Sequence, residues 1–233
     1  MKVGIIVFPG SNCDHDAEYA FKDVLGCDVK MIWHKSHDLD GVDMVFLPGG
    51  FSYGDYLRSG SIASYSPVMN DVVKFANEGR PVMGVCNGFQ VLTESHLLEG
   101  ALLRNKQLQF ICKTTTLKVE NDTSIFTKNM NKGALIDIPI AHGEGNYYAD
   151  ADVIKSLEDN NQILFRYADS KGTVSDETNP NGSINNIAGI VNEKGNVLGM
   201  MPHPERAVAL ELGSADGTHI LKSLIEHGMN IVG

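Results

Sequence analysis

The sequence predicts an α/β protein with an open, mostly parallel sheet flanked by helices, and three observations carry that expectation. Short apolar runs alternate with segments whose apolar residues recur at helical spacing, the pattern of successive βαβ units. One run ends in Pro48-Gly49-Gly50, and another passes directly into a helical pattern at Cys86. The 42% apolar and 21% charged residues suit a globular chain, and no apolar run approaches the ~20 residues a membrane span requires.

Val3 to Phe8 reads as a buried first strand. Asp16 to Leu25 follows as a helix, with Ala17, Ala20, Phe21 and Val24 on one face and Gly26 as its stop. Val29 to Trp33 and Met44 to Leu47 are the next strands. A helix from about Pro67 to Asn77 has Ser66 as candidate cap, Pro67 in its first turn and Gly79 as terminator. Pro81 to Val85 is a fourth strand, and Asn87 to Leu98 is helical in pattern, stopped by Gly100. The second half is richer in strands: Phe110 to Val119, Ala134 to Ile140, Ile163 to Tyr167, Ile187 to Val191 and Val197 to Met201. A polar stretch from Ser170 to Asn186 reads as a long loop, and a terminal helix runs from about Gly217 to Glu226. With no repeat or shift in composition, residues 1–233 are expected to form one domain.

The net charge of −10 argues against nucleic acid as a partner, because nothing broadly basic is present to neutralise phosphates. The opening apolar run is too brief for a secretory signal, so a cytoplasmic chain without a membrane partner is expected. Cys13, Cys27, Cys86 and Cys112 are widely and irregularly spaced. They supply neither a disulfide framework nor a zinc-finger pattern, so no metal is expected, and any special cysteine would be a reactive thiol.

Gly84-Val85-Cys86-Asn87-Gly88 resembles a nucleophile elbow. A sharp strand-to-helix turn would expose the thiol at the carboxyl edge of the sheet, where the helix amino terminus favours the thiolate. The alternative at this position is a buried structural cysteine. In Met201-Pro202-His203-Pro204-Glu205, an extended segment would set His203 and Glu205 on one side, so that Glu205 orients an imidazole serving a thiol. The alternative is a solvated polar turn. Pro48-Gly49-Gly50 and the loop after it could bring backbone N–H groups to an oxyanion or a phosphate, and Ala141-His142-Gly143-Glu144 ends another strand at which a ligand could be met. The other histidines, His34 among them, are expected on surfaces or helix ends. Two further readings of these residues are a different cysteine hydrolase on a similar sheet and a non-catalytic, flavodoxin-like phosphate-binding module. Cys13 is a weaker alternative nucleophile, having no glycine pair around it.

Six segments taken together resemble the class I, triad-type glutamine amidotransferases, and within them the glutaminase subunits of phosphoribosylformylglycinamidine synthases. They are Phe8-Pro9-Gly10-Ser11-Asn12-Cys13-Asp14, Pro48 to Arg58, Gly84 to Gln90, Pro139 to Gly145, Asn179-Pro180-Asn181-Gly182-Ser183 and Met201 to Arg206. The resemblance implies a flavodoxin-like amidotransferase fold and a Cys86, His203 and Glu205 triad. It also implies oxyanion N–H groups from Gly50 and Asn87, and a hold on L-glutamine by Gln90, His142 and Gly143. It further implies no cofactor in this chain, ATP and magnesium being used by a large synthase partner, and a small third subunit in the same complex.

Overall fold

The computed structural model describes residues 1–39 and 41–228; Asp40 and residues 229–233 of the expected 1–233 unit lie outside them. The strands are β1 (Lys2–Val7), β2 (Asp28–Trp33), β3 (Met44–Leu47), β4 (Val82–Val85), β5 (Ala101–Leu103), β6 (Ile111–Val119), β7 (Leu135–His142), β8 (Asn146–Tyr148), β9 (Ile163–Ala168), β10 (Ile187–Val191) and β11 (Val197–Met200). The helices are α1 (Asp14–Glu18), α2 (Ser61–Ser64), α3 (Pro67–Asn77), α4 (Asn87–Glu94), α5 (Ala151–Asp159) and α6 (Gly217–His227).

The main sheet has nine strands in the order β2-β1-β3-β4-β11-β10-β9-β6-β7. Pairing is parallel from β2 through β11 and antiparallel from β11 to β7. The expected α/β class is therefore observed, with the strand-rich second half forming an antiparallel extension of a parallel, flavodoxin-like half. In such a sheet ligands meet the crevice beyond the carboxyl ends of the strands, next to the point where strand order reverses. Here that is the end of β1 and β3, with β4 and β11 alongside. β3, β4 and β11 are buried at every residue, as strands covered by helices on both faces must be.

The Pro67–Asn77 helix forms as predicted, burying Val68, Met69, Val72, Phe75 and Ala76. Ser66 does not cap it, because its hydroxyl pairs with the Tyr53 hydroxyl at 2.9 Å. The expected 16–25 helix is α1 followed by a wider π turn over Tyr19–Val24. The expected 87–98 helix stops at Glu94. The small β5-β8 sheet, α2 and α5 carry no signal strong enough to have been read. Helix α4 lies so close to the sheet that a Cβ on Gly88 would stand 2.0 Å from the Leu47 carbonyl oxygen. This is the packing reason for a glycine just after Cys86.

β7 is the far edge strand, yet its end reaches the parallel half: the Pro139 carbonyl accepts the His203 N–H at 2.8 Å, and the Ala141 carbonyl faces the Cys86 thiol at 3.7 Å. The sheet curls enough to close the antiparallel edge over the carboxyl ends of the parallel strands. Among the described residues no helix is long and apolar enough to cross a membrane.

Candidate active site

Cys86 joins β4 to α4 with φ +51° and ψ −105°, a conformation that L-residues avoid at a cost of about 1–3 kcal/mol. This is the elbow that the flanking glycines suggested. Strand pairing holds it from below, the Cys86 N–H donating to the Met200 carbonyl at 2.8 Å, and the Gln90 N–H returns to the Cys86 carbonyl at 3.1 Å.

His203 and Glu205 meet as the sequence implied, but by a different local route. Pro204–Arg206 is a 3₁₀ turn rather than an extended segment, and it folds the carboxylate back so that Glu205 Oε1 stands 2.6 Å from His203 Nδ1. Both residues are 1% exposed, so this is no solvated turn. Burial alone would strip the imidazole of its proton, but the Glu205 carboxylate and then Cys86 outweigh it and hold His203 well above the ordinary histidine value of 6.5. With Nδ1 committed to Glu205, Nε2 is left without a hydrogen-bond partner. The Cys86 thiol points instead at the Ala141 carbonyl, so the thiol–imidazole bond is open in the resting geometry, although Cys86 still raises His203. Such bonds commonly close only when a substrate is bound.

A second thiol stands close by. Cys13, at the amino-terminal cap of α1, places Sγ within 4.8 Å of ligand atoms of His203 and Glu205, and Arg206 Nη2 donates to it at 3.2 Å while Arg206 Nε donates to Asp16 at 2.8 Å. The guanidinium beside Sγ opposes a cation there, and Nδ1 of His203 is already committed to Glu205. Cys13 lines a small pocket with Cys112, His203 and Arg206, whereas Cys86 lines the neighbouring one. Sequence reasoning did not place Cys13 against His203.

The pocket above Cys86 encloses about 240 Å³, a volume for a ligand smaller than a typical drug. Gly50 and Phe51 from one loop and Ala141 to Glu144 from another wall it together with Gln90 of α4, and Asp55 and Arg104 also line it. Gly50 has φ +126°, and a Cβ there would lie 2.6 Å from the Asn12 nitrogen, so only glycine brings this backbone to the thiol. The Asn87 side chain ties the loop to α4: its Oδ1 accepts from the Ser52 N–H at 3.2 Å, and its Nδ2 donates to Gln90 Oε1 at 2.9 Å. Gln90 Nε2 donates to the Glu144 carbonyl at 2.7 Å. The Gln90 amide thus lines the pocket while binding the two walls together.

His142 is buried, its Nδ1 3.1 Å from Asn105 Oδ1, and burial and then His203 push it down to about 4. Asp55 is pushed up to about 6 by burial and by neighbouring Glu144. His34 corrects the surface expectation: it is buried against the Tyr53 hydroxyl at 2.7 Å, and burial lowers it.

Comparison with known proteins adds independent findings. Residues 1–219 match the family model of the CobB/CobQ-like glutamine amidotransferase domain. The chain is 58% identical over 227 residues to the phosphoribosylformylglycinamidine synthase subunit PurQ of Chlorobaculum parvum, covering 97% of this chain and 90% of that one. It is 59% identical to the same-named subunit of Chlorobaculum tepidum, covering 97% and 96%. In three dimensions it is similar to a chain in the structure of PurLQS from Thermotoga maritima, with TM-score 0.86 and 41% identity over 97% of this chain and 98% of that one.

Proposed function

The chain belongs to the PurQ family of phosphoribosylformylglycinamidine synthase subunits and is built on a CobB/CobQ-like glutamine amidotransferase domain, and from that premise we propose that Cys86, His203 and Glu205 hydrolyse L-glutamine to glutamate and ammonia for a synthase partner. The buried 2.6 Å His203–Glu205 contact beside a strained elbow cysteine carries the reading. The Cys86 thiolate attacks the carboxamide carbon, and the oxygen that becomes negative is met by the N–H groups of Gly50 and Asn87. His203, held protonated by Glu205, gives its Nε2 proton to the departing ammonia and leaves a thioester on Cys86. Water then attacks that carbonyl, losing its proton to His203, and releases glutamate and the thiol.

The pocket lining suits an α-amino acid, with the Asp55 and Glu144 carboxylates for an ammonium and Arg104, which pairs with Glu144 at 3.7 Å, for a carboxylate. Neither charge of free glutamine titrates near neutral pH, but Asp55 loses its own on acidification. KM for glutamine is therefore expected to rise several-fold as pH falls through about 6, where Asp55 protonates, the scale of one partly exposed ion pair. Steady-state kinetics from pH 5 to 8 check this, and Asp55→Asn should flatten the profile.

Ammonia passes to a large synthase partner that spends ATP with magnesium to convert formylglycinamide ribonucleotide to formylglycinamidine ribonucleotide in purine biosynthesis. A small third subunit completes the complex, this chain contributes no cofactor, and the whole works in the cytoplasm. The relatives' naming as synthase subunits and the likeness to a chain of the PurLQS structure support this reading. Because the thiol–imidazole bond is open at rest, adding the synthase partner with its substrate should raise glutaminase turnover. A glutamate-release assay with and without the partner checks it, and equal rates would contradict partner activation.

A further inference from the structure

Asn105 is fully buried, and its short side chain and backbone make six hydrogen bonds, four of them to the 142–145 loop that lines the pocket. Its N–H donates to the Gly143 carbonyl at 2.9 Å, and its Nδ2 donates to the carbonyls of His142 at 2.9 Å and Gln109 at 2.8 Å. Its Oδ1 accepts the Gly145 N–H at 2.9 Å and faces His142 Nδ1 at 3.1 Å. Two carbonyls on one side fix Nδ2 as the donor end, so Oδ1 can only accept. His142 Nδ1 must then carry the hydrogen, and Nε2 is the bare nitrogen, which is buried without a partner.

The Asn179 to Ser183 segment, which the catalytic scheme leaves unused, braces the same loop from behind. Asn181 Nδ2 and the Ser183 hydroxyl both donate to the Gly145 carbonyl, at 2.8 and 3.1 Å. The Asn181 carbonyl accepts the Lys106 N–H at 2.8 Å, next to Asn105. The loop in turn carries the Ala141 carbonyl facing Cys86 and the Glu144 carbonyl that holds Gln90.

We propose that Asn105 is the positioning residue of the glutamine pocket, setting the 141–145 wall against Cys86 and pinning His142 in its Nδ1–H tautomer, with Asn181 as its outer brace. This rests on the glutaminase reading for its kinetic consequence but not for its tautomer. At neutral pH the depressed His142 is uncharged, so the tautomer can be measured.

The test begins with the unaltered chain: long-range proton–nitrogen spectra of histidine-labelled protein should show His142 protonated at Nδ1, and protonation at Nε2 overturns the proposal. The near-isosteric Asn105→Asp replaces the Nδ2 donor by an acceptor facing two carbonyls. With the synthase partner present it should raise KM for glutamine about tenfold or more, the weight of one or two buried hydrogen bonds, with a much smaller change in kcat. Asn181→Ala should raise KM less and leave the His142 tautomer as it is. An unchanged KM in both variants overturns the proposal, and if Asn105→Asp fails to fold, the tautomer and Asn181→Ala decide it. Retention of activity by Cys86→Ser would instead remove the glutaminase reading while leaving the tautomer result standing.

Discussion

Replacing Cys86 by serine is expected to lower glutamine hydrolysis about 10⁴-fold or more, the scale seen when a triad nucleophile is lost. Among the described residues, this thiol alone combines a strained strand-to-helix elbow, a place in the pocket and an electrostatic effect on His203. A hydroxyl is a far weaker nucleophile than a thiolate at neutral pH. The informative comparison is Cys13→Ser. Cys13 Sγ also stands within 4.8 Å of a His203 ring nitrogen, but it lines the adjoining pocket and is occupied by Arg206. Its loss should cost only about fivefold, the worth of one hydrogen bond near the site. Glutamate release by the two variants separates the roles, and a larger loss in Cys13→Ser would reverse them.

Glu205→Gln is expected to cost about 10²–10⁴-fold in kcat, because an uncharged amide no longer stabilises the imidazolium. The sign of the accompanying pH effect follows from the opposing influences on His203. Burial lowers its pKa, while Glu205 and Cys86 raise it further than burial lowers it. Removing the carboxylate leaves burial less opposed, so the imidazole gives up its proton at lower pH. The basic limb of the pH–rate profile should therefore move toward acid in Glu205→Gln, and rate profiles of the two proteins check it. Movement toward base would show that Glu205 does not hold the proton on His203.

Much of this site was legible because its chemistry is local. Glycines two before and two after a cysteine, at a strand end, implied the elbow, and the structure gives Cys86 the positive φ that such a turn needs. His203 and Glu205, two apart between prolines, implied a pair, and they meet at 2.6 Å. The implied geometry was wrong, however, because Pro204 starts a 3₁₀ turn, and period-two reasoning cannot distinguish that from a strand. Asn105 was not legible as part of the site, and for Cys13, a weaker alternative nucleophile, and Asp55, in the loop after Gly50, the partners were not. Each gains its role from contacts across the sheet: Cys13 with Arg206, Asp55 with Glu144, Asn105 with His142. The parallel half could be read from its alternation of strands and helices. The antiparallel half could not be oriented, because its strands follow one another with few helices between, and nothing local in β7 shows that it curls back to the site.

In the proposed reaction Cys86, and not its neighbour Cys13, carries the acyl group of glutamine. The direct measurement is incubation of the chain with a glutamine-analogue diazoketone in the presence of the synthase partner, followed by peptide mass spectrometry. One label per chain is expected, on Cys86, prevented by excess glutamine and absent from Cys86→Ser. A label on Cys13, or labelling that glutamine does not prevent, would contradict that assignment.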